Sequence, residues 1–547
     1  MKKLVSILLT LAVAISLMIV PATVSATGGD TSLLEGSYSY VQDGWLFVHL
    51  EGSPYQIGYQ NGYLTADDSA NACLSNWVGD DRKDSWTKSV RKEAENIIWP
   101  MIPQEYKDEI EGIVDGLHAA GYDNWDKWDV VAANDWADQD IYKKTGGCSA
   151  FAAAGDATTD GQIVIGHVTM SPKDEDYMCH VMFDVTPADG YRFRYQSAGG
   201  MIWSGHDWFV NEAGLMVGST SIDNKVRNRE GTPAFIRERE AVQYTDNIDD
   251  FITAMTTNNN GANPSEWLIG DAKTGEICSL SLGCYAWDIN RTFNGFYPSC
   301  NYLWYENTRR EAGYRVPAPD PPTSVRAVRW LELIDEYYGE IDVEVGKHFF
   351  EDDIISSYNP TRTGGGYDGK VTSSELVLDN MGMWARWGSA TGKPFDLEAY
   401  LAGKTSKWID KHEWYIANLR CYVDRTPQPW TYIAGTRPIG VEIDIKPGSS
   451  TNSINPDSKG LVPVAILTTD VFDASTVDPD TVLFGPAGAR AVQGAFEDVD
   501  SDGDEDMLLH FRTQDTGIRA GDTEAGLIGK TLDGTEIYGS DSILVID

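Results

Sequence analysis

One cysteine stands in a setting that suits a nucleophile. Cys148 follows Gly146 and Gly147 and precedes a run of small residues. Glycines before a nucleophile let the backbone adopt strained angles, and they let a side chain approach the preceding carbonyl closely. That setting suits a thiol that attacks the carbonyl of its own preceding peptide bond. A disulfide cysteine at the end of a loop is the alternative that composition alone allows.

The chain contains seven cysteines, which is an odd number. In an exported protein an odd thiol is either unpaired by accident or kept free for a purpose. Parity does not say which of the seven is free, and the other six could form up to three disulfides in a pairing that the sequence does not give. The seven are Cys73, Cys148, Cys179, Cys278, Cys284, Cys300 and Cys421.

A run of alternating carboxylates near the C-terminus is typical of a calcium loop. Such carboxylates around a glycine turn converge their oxygens on a hard cation. Leu509 stands where an EF-hand has its bidentate glutamate, so we expect the loop to be no full EF-hand and Asp506 to close the cage. An acidic, solvated surface is the alternative. The predicted metal ligands are Asp498, Asp500, Asp502, Asp504 and Asp506.

Composition and charge exclude several classes of protein. The chain has 547 residues, with 83 Asp and Glu against 43 Lys and Arg, and its net charge is −40. A nucleic-acid binder needs clustered basic residues to neutralise phosphates, so that class is disfavoured, as is binding to an anionic membrane surface. Cations, neutral ligands and basic proteins are the partners that this charge favours. The length predicts more than one domain.

The first 26 residues predict a signal peptide. Lys2 and Lys3 precede an apolar run over residues 4–20, and Ala26 ends a small-residue cleavage site. A membrane anchor is the alternative, but the run is short and Pro21 follows it. We therefore expect a secreted, extracellular protein with no transmembrane segment after signal removal, in a compartment where disulfides form.

A proline-containing linker near residues 425–440 separates two kinds of sequence. Before it, strand-like runs in hairpins are flanked by helical patterns, which predicts an α+β layered domain over residues 27–436. The predicted elements are helices at 105–119, near 323–338 and near 395–403, and strands at 162–168 and 180–185.

After the linker, short β-type runs alternate with Gly, Pro and Asp turns, which predicts a small all-β domain over residues 437–547. Residues 441–547 contain 21 acidic and six basic side chains. The region resembles the β modules with a Lys446-Pro447-Gly448-Ser449 type of sequence at the ends of secreted microbial proteins, and a cell-surface or matrix contact is the partner expected for it. The strand-like runs are Val441–Ile445, Val462–Leu467, Met507–Phe511 and Ser542–Ile546.

A set of stretches in the first domain carries a more specific likeness, over roughly residues 45–410. They are Gly52–Gly58, Gln60–Leu64, Glu111–Gly116, Gly147–Ser149, Asp160–His167, Asn211–Ile222, Ser299–Asn301, Arg326 and Gly365–Ser374. In this order they resemble the cysteine-type N-terminal nucleophile (Ntn) hydrolases, specifically the penicillin acyltransferase-like family and its phospholipase B-like relatives.

The resemblance implies a four-layer αββα Ntn-hydrolase fold and self-cleavage between residues 147 and 148. Cys148 would attack the Gly147 carbonyl, and hydrolysis of the thioester would leave Cys148 as a new N-terminus. Its α-amine, with a reference pKa of about 7.7–8.0, would then act as base for its own thiol. Catalysis of this kind needs no metal or other cofactor.

The resemblance also implies roles for other residues. Asn301 would stabilise the oxyanion, with help from Thr220 or a nearby backbone N–H. Arg326 would favour the thiolate, with neighbouring Arg329 as an alternative. His167 would orient the α-amine or the substrate. The alternative for each is a purely structural role: Asn301 as a turn residue, Arg326 on a helix surface and His167 hydrogen-bonded within a sheet.

Three functions follow for the whole chain. The first is an amidohydrolase or acyltransferase that cleaves a linear amide, such as an N-acyl amine or amino-acid conjugate. The second is a phospholipase B-like ester hydrolase on a lipid, which the stretch 365–374 favours, although Val168-Thr169-Met170 departs from that branch. The third is a calcium-stabilised binding or adhesion protein with an inactive Ntn domain. A papain-like protease is poorly supported, because Cys148 lacks that signature's second cysteine and aromatic residue.

Overall fold

The computed structural model describes most of the chain. Two of the predicted segments, the signal peptide at 1–26 and the helix near 395–403, lie outside the described residues. The described residues form two compact units, one of residues 31–38 and 45–433 and the other of 39–44 and 439–546. The described ranges are 31–74, 89–135, 147–170, 179–320, 322–356, 368–393, 429–433 and 439–546, the last without 450, 457, 470, 486–487, 519–521, 523 and 534.

The helices of the larger unit begin with a 3₁₀ turn (Thr31–Leu34) and include two π segments (Asp68–Leu74 and Ala94–Ile98). The α-helices are α1 (Pro54–Leu64), α2 (Arg91–Glu93), α3 (Trp99–Met101), α4 (Gln104–Ala119), α5 (Lys127–Asn134), α6 (Ala234–Tyr244), α7 (Ile248–Thr256), α8 (Glu306–Glu311), α9 (Val325–Tyr337), α10 (Val343–Glu351) and α11 (Ser374–Asn380). The helices predicted at 105–119 and 323–338 are confirmed as α4 and α9.

The strands up to the linker are β1 (Tyr38–Gln42), β2 (Trp45–Gly52), β3 (Gly147–Gly155), β4 (Gly161–Met170), β5 (Val181–Pro187), β6 (Phe193–Ser197), β7 (Trp208–Asn211), β8 (Leu215–Ser221), β9 (Ser265–Asp271), β10 (Glu276–Leu282), β11 (Trp287–Thr292), β12 (Gly295–Ser299), β13 (Asp368–Ser373), β14 (Met383–Trp387) and β15 (Thr431–Ile433). The strands predicted at 162–168 and 180–185 are confirmed as β4 and β5.

Two sheets form the centre of the larger unit. One contains β2-β5-β6-β7-β8-β9-β10-β11 in that order, and the other contains β12-β3-β4-β13-β14-β15. Strands β3 and β4 contact β8 of the first sheet. Helices α9, α10 and α11 contact the second sheet, and α1, α6 and α7 contact the first. The mixed helix and sheet class predicted for this region is confirmed.

Helices α1 and α4 pack backbone to backbone through four glycines. A Cβ added at Gly58, Gly62, Gly112 or Gly116 would lie between 1.9 and 2.2 Å from a carbonyl oxygen of the other helix. Real Cβ atoms essentially never come closer than 3.0 Å to such an atom. This close approach explains why glycine recurs at a spacing of four in both stretches.

The helices in turn hold a loop at residues 200–202. Asn61 of α1 donates to the Met201 carbonyl oxygen at 3.0 Å and accepts from the Gly200 N–H at 3.1 Å. Asn134 of α5 donates to the Gly200 carbonyl oxygen at 3.1 Å and accepts from the Ile202 N–H at 2.9 Å. Both asparagines are fully buried. Residues 203–207, which lead to β7, therefore begin from a fixed position.

The smaller unit is built almost entirely of strands. Its main sheet has the order β16-β24-β23-β20-β21-β22-β19-β17, and β18 pairs with β25 in parallel. The residues 498–505 connect β21 to β22. The strands are β16 (Ile439–Gly440), β17 (Ile443–Ile445), β18 (Ser453–Ile454), β19 (Leu461–Ile466), β20 (Val477–Phe484), β21 (Ala489–Glu497), β22 (Asp506–Arg512), β23 (Glu524–Thr531), β24 (Glu536–Ser542) and β25 (Leu544–Val545), with 3₁₀ turns at Ala474–Thr476 and Thr513–Asp515.

Alternating apolar side chains from these strands form one core. It includes Ile445 on β17, Val464 on β19, Phe484 on β20 and Phe511 on β22, all of them fully buried. The strand-like runs seen in the sequence supply most of these residues. Within the described part of the chain, no helix is long and apolar enough to cross a membrane.

Candidate active site around Cys148

Cys148 is the second residue of β3 and is only 6% exposed. Strand β4 pairs with β3 on one side and places His167 opposite Ala150. Strand β12 pairs on the other side and places Ser299 opposite the same residue. Because both neighbours run antiparallel, the start of β3 meets the ends of β4 and β12. The sheet therefore brings to Cys148 both the neighbouring hairpin strand β4 and the distant strand β12.

Asn301 and Arg326 converge on the backbone of Cys148. The Cys148 N–H donates to Asn301 Oδ1 at 2.9 Å, and Arg326 Nη1 donates to the Cys148 carbonyl oxygen. Arg326 Nη2 also donates to Asn301 Oδ1, at 2.8 Å. Since both neighbours of this amide are donors, the oxygen of Asn301 must face Cys148. The amide thus holds the N–H of the Gly147–Cys148 bond, and the guanidinium holds the carbonyl group on the other side of Cys148.

Thr220 supports Asn301 from β8. The Asn301 N–H donates to Thr220 Oγ1 at 3.1 Å, and Asn301 Nδ2 donates to the Ser221 carbonyl oxygen at 2.7 Å. Thr220 Oγ1 lies 2.5 Å from Ser299 Oγ. Asn301 has φ +60°, a left-handed conformation that asparagine tolerates. These contacts favour a positioning role for both residues over the oxyanion role that the resemblance implied.

The structure distinguishes the two candidate arginines of α9. Arg326 is 8% exposed and contacts Cys148, as described. Arg329 instead donates to Asp352 at 2.8 Å and to Glu332 at 3.0 Å. A helix turn contains about 3.6 residues, so side chains three apart differ in direction by about 60°. Arg326 is therefore the arginine of this site.

Asp207 is a neighbour of the thiol that the sequence analysis did not identify. Cys148 Sγ donates to Asp207 Oδ2 across 3.7 Å. Asp207 lies on the loop between β6 and β7, 59 residues from the cysteine, and has φ +58°. The loop is the one anchored by Asn61 and Asn134. No residue spacing signals this contact, because the packing of the two sheets against each other creates it.

The surroundings of Cys148 keep its thiol protonated. Burial raises the pKa of Cys148 far above its usual value, and the negative charge of Asp207 raises it further. The positive charges of His206, Arg326 and Lys370 lower the pKa but do not reverse the shift. With its amide bond intact, the cysteine therefore needs a proton acceptor before it can attack, and Asp207 is in contact with its Sγ.

His167 is completely buried beside the thiol. One of its ring nitrogens, Cys148 Sγ and an Asp207 carboxylate oxygen all lie within 4.8 Å of one another. Among the described residues, neither ring nitrogen has a hydrogen-bond partner of normal geometry. Burial, followed by the charge of Lys370, holds the pKa of His167 well below its usual value, so the ring is neutral.

A second group of buried polar residues adjoins the thiol. Asp368 accepts from Lys370 at 2.7 Å and from Gln196 at 2.7 Å, and it lies 3.1 Å from His206 Nδ1. Lys370 also donates to Gln196 Oε1 at 2.5 Å. Burial opposes ionisation of Asp368, but Lys370 and then His206 hold its pKa well below the usual range. Asp368 and Lys370 lie in the stretch 365–374, of which 365–367 are outside the described residues.

The expectation of up to three disulfides is wrong. Five cysteines with described side chains are all free thiols, so six of the seven cannot be paired. Cys278 and Cys300 are completely buried, and a buried free thiol packs as a small hydrophobe. The odd number of cysteines therefore does not distinguish Cys148 from the other free thiols. The free thiols are Cys148, Cys179, Cys278, Cys284 and Cys300.

The acidic loop of the smaller unit is a separate candidate site. Carboxylate oxygens of Asp498, Asp500 and Asp506 lie within 4.8 Å of one another. Asp506 is buried and accepts from the N–H groups of Thr468 at 2.9 Å and Val499 at 3.0 Å. Asp504 Oδ1 is buried and has no partner among the described residues. Desolvation and then Asp502 raise the pKa of Asp504, which is the response of a carboxylate to unneutralised neighbours.

Comparison with known proteins gives one sequence relative and weak structural matches. No protein-family model matches the chain. An uncharacterized protein of Archaeoglobus fulgidus is 27% identical over 408 residues, which are 64% of this chain and 66% of that protein. The chain thus spans just under two thirds of this relative.

Two solved structures of a conjugated bile acid hydrolase from Clostridium perfringens also match. One, a mutant, is 10% identical, covers 44% of this chain and 89% of its own, and has a TM-score of 0.28. The other, a variant, is 11% identical, covers 45% and 82%, and has a TM-score of 0.23. TM-scores below 0.5 do not establish a common fold, so the functional assignment depends on the geometry around Cys148.

Proposed function

We propose that the chain is an exported, self-cleaving cysteine Ntn hydrolase or acyltransferase that cleaves a linear amide through an acyl-cysteine intermediate. A single observation carries the proposal. Five residues to which the family resemblance assigns catalytic roles lie close together in the structure. Cys148, His167, Thr220, Asn301 and Arg326 are spread over 179 positions of the sequence and meet at one point. The contact between two sheets, with helices against each, supports the four-layer αββα arrangement.

Self-cleavage would begin with the intact Gly147–Cys148 bond. The thiol gives its proton to Asp207, and Sγ attacks the Gly147 carbonyl carbon. The C–N bond breaks, the Cys148 nitrogen takes up a proton, and a thioester joins Gly147 to Sγ. Water then hydrolyses the thioester. The products are a carboxylate at Gly147 and a Cys148 with a free thiol and a free α-amine.

In turnover the new α-amine would take the place of Asp207 as the base. The amine accepts the thiol proton as Sγ attacks the substrate carbonyl, and it then protonates the leaving amine. Asn301 Oδ1, which accepts from the Cys148 nitrogen in the intact chain, is suited to hold this amine. Arg326 would disfavour protonation of the amine by its positive charge, which keeps the free base available near neutral pH.

Ester hydrolysis of a lipid is a second candidate. Asp368 and Lys370, from the stretch that resembles the phospholipase B-like branch, are completely buried, and the charge of Lys370 acts on the thiol. Attack on an ester uses the same nucleophile and the same base, and it differs only in the leaving group. The identity of the acyl and leaving groups is therefore the question that a substrate panel answers.

For the smaller unit we propose a structural Ca²⁺ bound by Asp498, Asp500 and Asp506, with Asp502 and Asp504 as the remaining candidate ligands. The unpartnered buried oxygen of Asp504 supports this, because a hard cation would satisfy it. The ion would neutralise the clustered carboxylates and fix the 498–505 loop. Contact with a cell surface or matrix is the role proposed for the unit.

Reading the internal N-terminus by mass spectrometry tests the enzyme proposal. The secreted protein should yield two polypeptides, residues 27–147 and residues 148–547. Cys148→Ala should remain a single chain, while Cys179→Ala, which changes another free thiol, should be cleaved normally. A wild-type protein that remains uncut at 147–148 would overturn the proposal and favour a calcium-stabilised binding protein. A panel of N-acyl amines, N-acyl amino acids and lysophospholipids would then separate amidase from esterase.

A further inference from the structure

We propose that Cys148, His167 and Asp207 form a binding site for one zinc ion. The three side chains come from β3, β4 and the loop before β7, and they supply one sulfur, one nitrogen and one oxygen. All three belong to the chain whether or not the bond before Cys148 is cut. The inference therefore stands apart from the proposed hydrolase activity.

The spacing of the ligand atoms fits a tetrahedral ion. Zinc binds thiolate sulfur at about 2.3 Å and carboxylate oxygen at about 2.1 Å, so two such ligands of a tetrahedral ion lie about 3.6 Å apart. The distance between Cys148 Sγ and Asp207 Oδ2 is 3.7 Å. One ring nitrogen of His167 lies within 4.8 Å of Cys148 Sγ and of an Asp207 carboxylate oxygen. A tetrahedral zinc needs this nitrogen about 3.5 Å from each of the other two ligand atoms, a separation that lies inside this limit.

The unsatisfied state of His167 is an independent indication of a ligand. Burying a polar group without a hydrogen bond costs about 1–3 kcal/mol, so fully buried imidazoles normally have a partner. The Ser219 backbone interacts with the ring of His167, but no described residue forms a hydrogen bond of normal geometry with either ring nitrogen, although the side chain is completely buried. A metal ion bound to the nitrogen that faces Cys148 and Asp207 would satisfy it.

The charges of the site fit zinc better than a hard cation. A thiolate, an imidazole and a carboxylate are the ligands that zinc takes in proteins, whereas calcium and magnesium take oxygen alone. The neutral ring of His167 binds without losing a proton. Cys148 must lose its thiol proton, so each ion bound releases one proton, and thiolate plus carboxylate then balance the charge of Zn²⁺. Lys370, Arg326 and His206 add positive charge near the thiol, and Asp368, which lies 2.7 Å from Lys370, offsets part of it.

Three protein ligands leave the fourth position of zinc open to water or substrate. Because the bound ion takes up the electron pair of Sγ, the sulfur is a poorer nucleophile while the ion is present. The site therefore acts as a reversible block on Cys148.

Cobalt titration of the full-length reduced protein tests the site without any measure of activity. Co²⁺ takes the same ligands as zinc, and a cobalt–thiolate bond gives a charge-transfer band in the near ultraviolet. Saturating calcium should be present so that the acidic loop does not compete. We expect one equivalent of Co²⁺ to produce the band and one equivalent of Zn²⁺ to remove it, with one proton released per ion.

Variants assign the ligands. Cys148→Ser should abolish the band, and His167→Gln and Asp207→Asn should each weaken binding by about tenfold or more. Cys179→Ser, a thiol outside the cluster, should bind as the wild type does. The proposal is wrong if the wild type gives no thiolate band, if the band survives in Cys148→Ser, or if neither His167→Gln nor Asp207→Asn weakens binding. Asp207→Asn alters a partly exposed loop residue, so it remains informative if the buried His167 variant does not fold.

Discussion

The Cys148 site and the acidic loop differ in how far along the chain their parts lie. Cys148 contacts Asp207, Asn301 and Arg326, which are 59, 153 and 178 residues away. The candidate calcium ligands all lie between residues 498 and 506. The first site is buried between strands of a large unit, whereas most of the second is exposed on a connection between two neighbouring strands.

This difference has a physical consequence for each site. The acidic loop needs only its own local turn, and an ion can complete it after the strands have formed. The Cys148 site exists only when two sheets and several helices have packed, because its residues come from β3, β4, β8, α9 and the 200–207 loop. We therefore expect substitutions at the first site to alter chemistry and stability together, and substitutions at the second to alter stability alone.

Removal of the buried guanidinium should give the largest effect. Arg326→Ala deletes hydrogen bonds to the Cys148 carbonyl oxygen and to Asn301 and should slow cleavage at 147–148 by about 10²–10³-fold. Gel electrophoresis over time after synthesis measures the rate. Arg329→Ala, three residues along the same helix, should have little effect because Arg329 pairs with Asp352. Equal slowing in both variants would contradict a specific role for Arg326.

The larger unit should also lose stability as pH rises. Glu266 is completely buried, and burial raises its pKa from 4.5 to about 7 despite a hydrogen bond from the Ser279 hydroxyl. The pKa of Glu266 is higher in the folded chain than in the unfolded chain, so its contribution to the free energy of unfolding is complete below pH 4.5. This contribution is lost as the pH rises through 7, by ~3 kcal/mol.

Urea unfolding of the larger unit between pH 4.5 and 8 measures this loss. Glu266→Gln keeps the shape of the side chain but cannot ionise, so its free energy of unfolding should vary less with pH than that of the wild type. Glu306→Gln, an exposed carboxylate paired with Arg310 at the surface, is the matched control. An unchanged pH profile in Glu266→Gln would show that another group is responsible.

Calcium should stabilise only the smaller unit. At a free calcium concentration one hundred times the dissociation constant, the gain in free energy of unfolding is about 2.7 kcal/mol. Calorimetry with and without EGTA measures it. Asp506→Asn should abolish the calcium response, whereas Asp515→Asn, an exposed carboxylate outside the loop, should keep it. The rate of cleavage at 147–148 should be the same with and without EGTA, and a calcium-dependent rate would contradict the independence of the two sites.

Removing the support that Thr220 gives to Asn301 should have the smallest of these effects. Thr220→Val removes the acceptor for the Asn301 N–H and should slow cleavage by about tenfold, which corresponds to the loss of one hydrogen bond of about 1.4 kcal/mol. Thr220→Ser retains the oxygen and should restore the rate. If Thr220→Ser is as slow as Thr220→Val, packing of the methyl group rather than the hydrogen bond positions Asn301.

The sequence predicted those parts of the molecule that depend on local periodicity. Helix α4 follows from apolar residues at helical spacing, and the strands of the smaller unit follow from alternating residues between turns. The glycines before it indicated Cys148, whereas its predicted partners came from a family resemblance, because no spacing rule connects residues so far apart. Asp207 was missed for the same reason. The cysteine parity argument failed because Cys278 and Cys300 are buried core residues, and burial does not depend on pairing.

The position of the proposed cut has one further consequence. Residues before 147 include β2, which pairs in parallel with β5 over seven residues, and α4, whose Glu109 forms a bidentate ion pair with Arg239 of α6. Cleavage would therefore turn the interior of one fold into the interface of a heterodimer. The two polypeptides should stay together until they are denatured. Refolding of the cut protein should then depend on its concentration, because two molecules must meet, whereas refolding of the uncut Cys148→Ala chain should not.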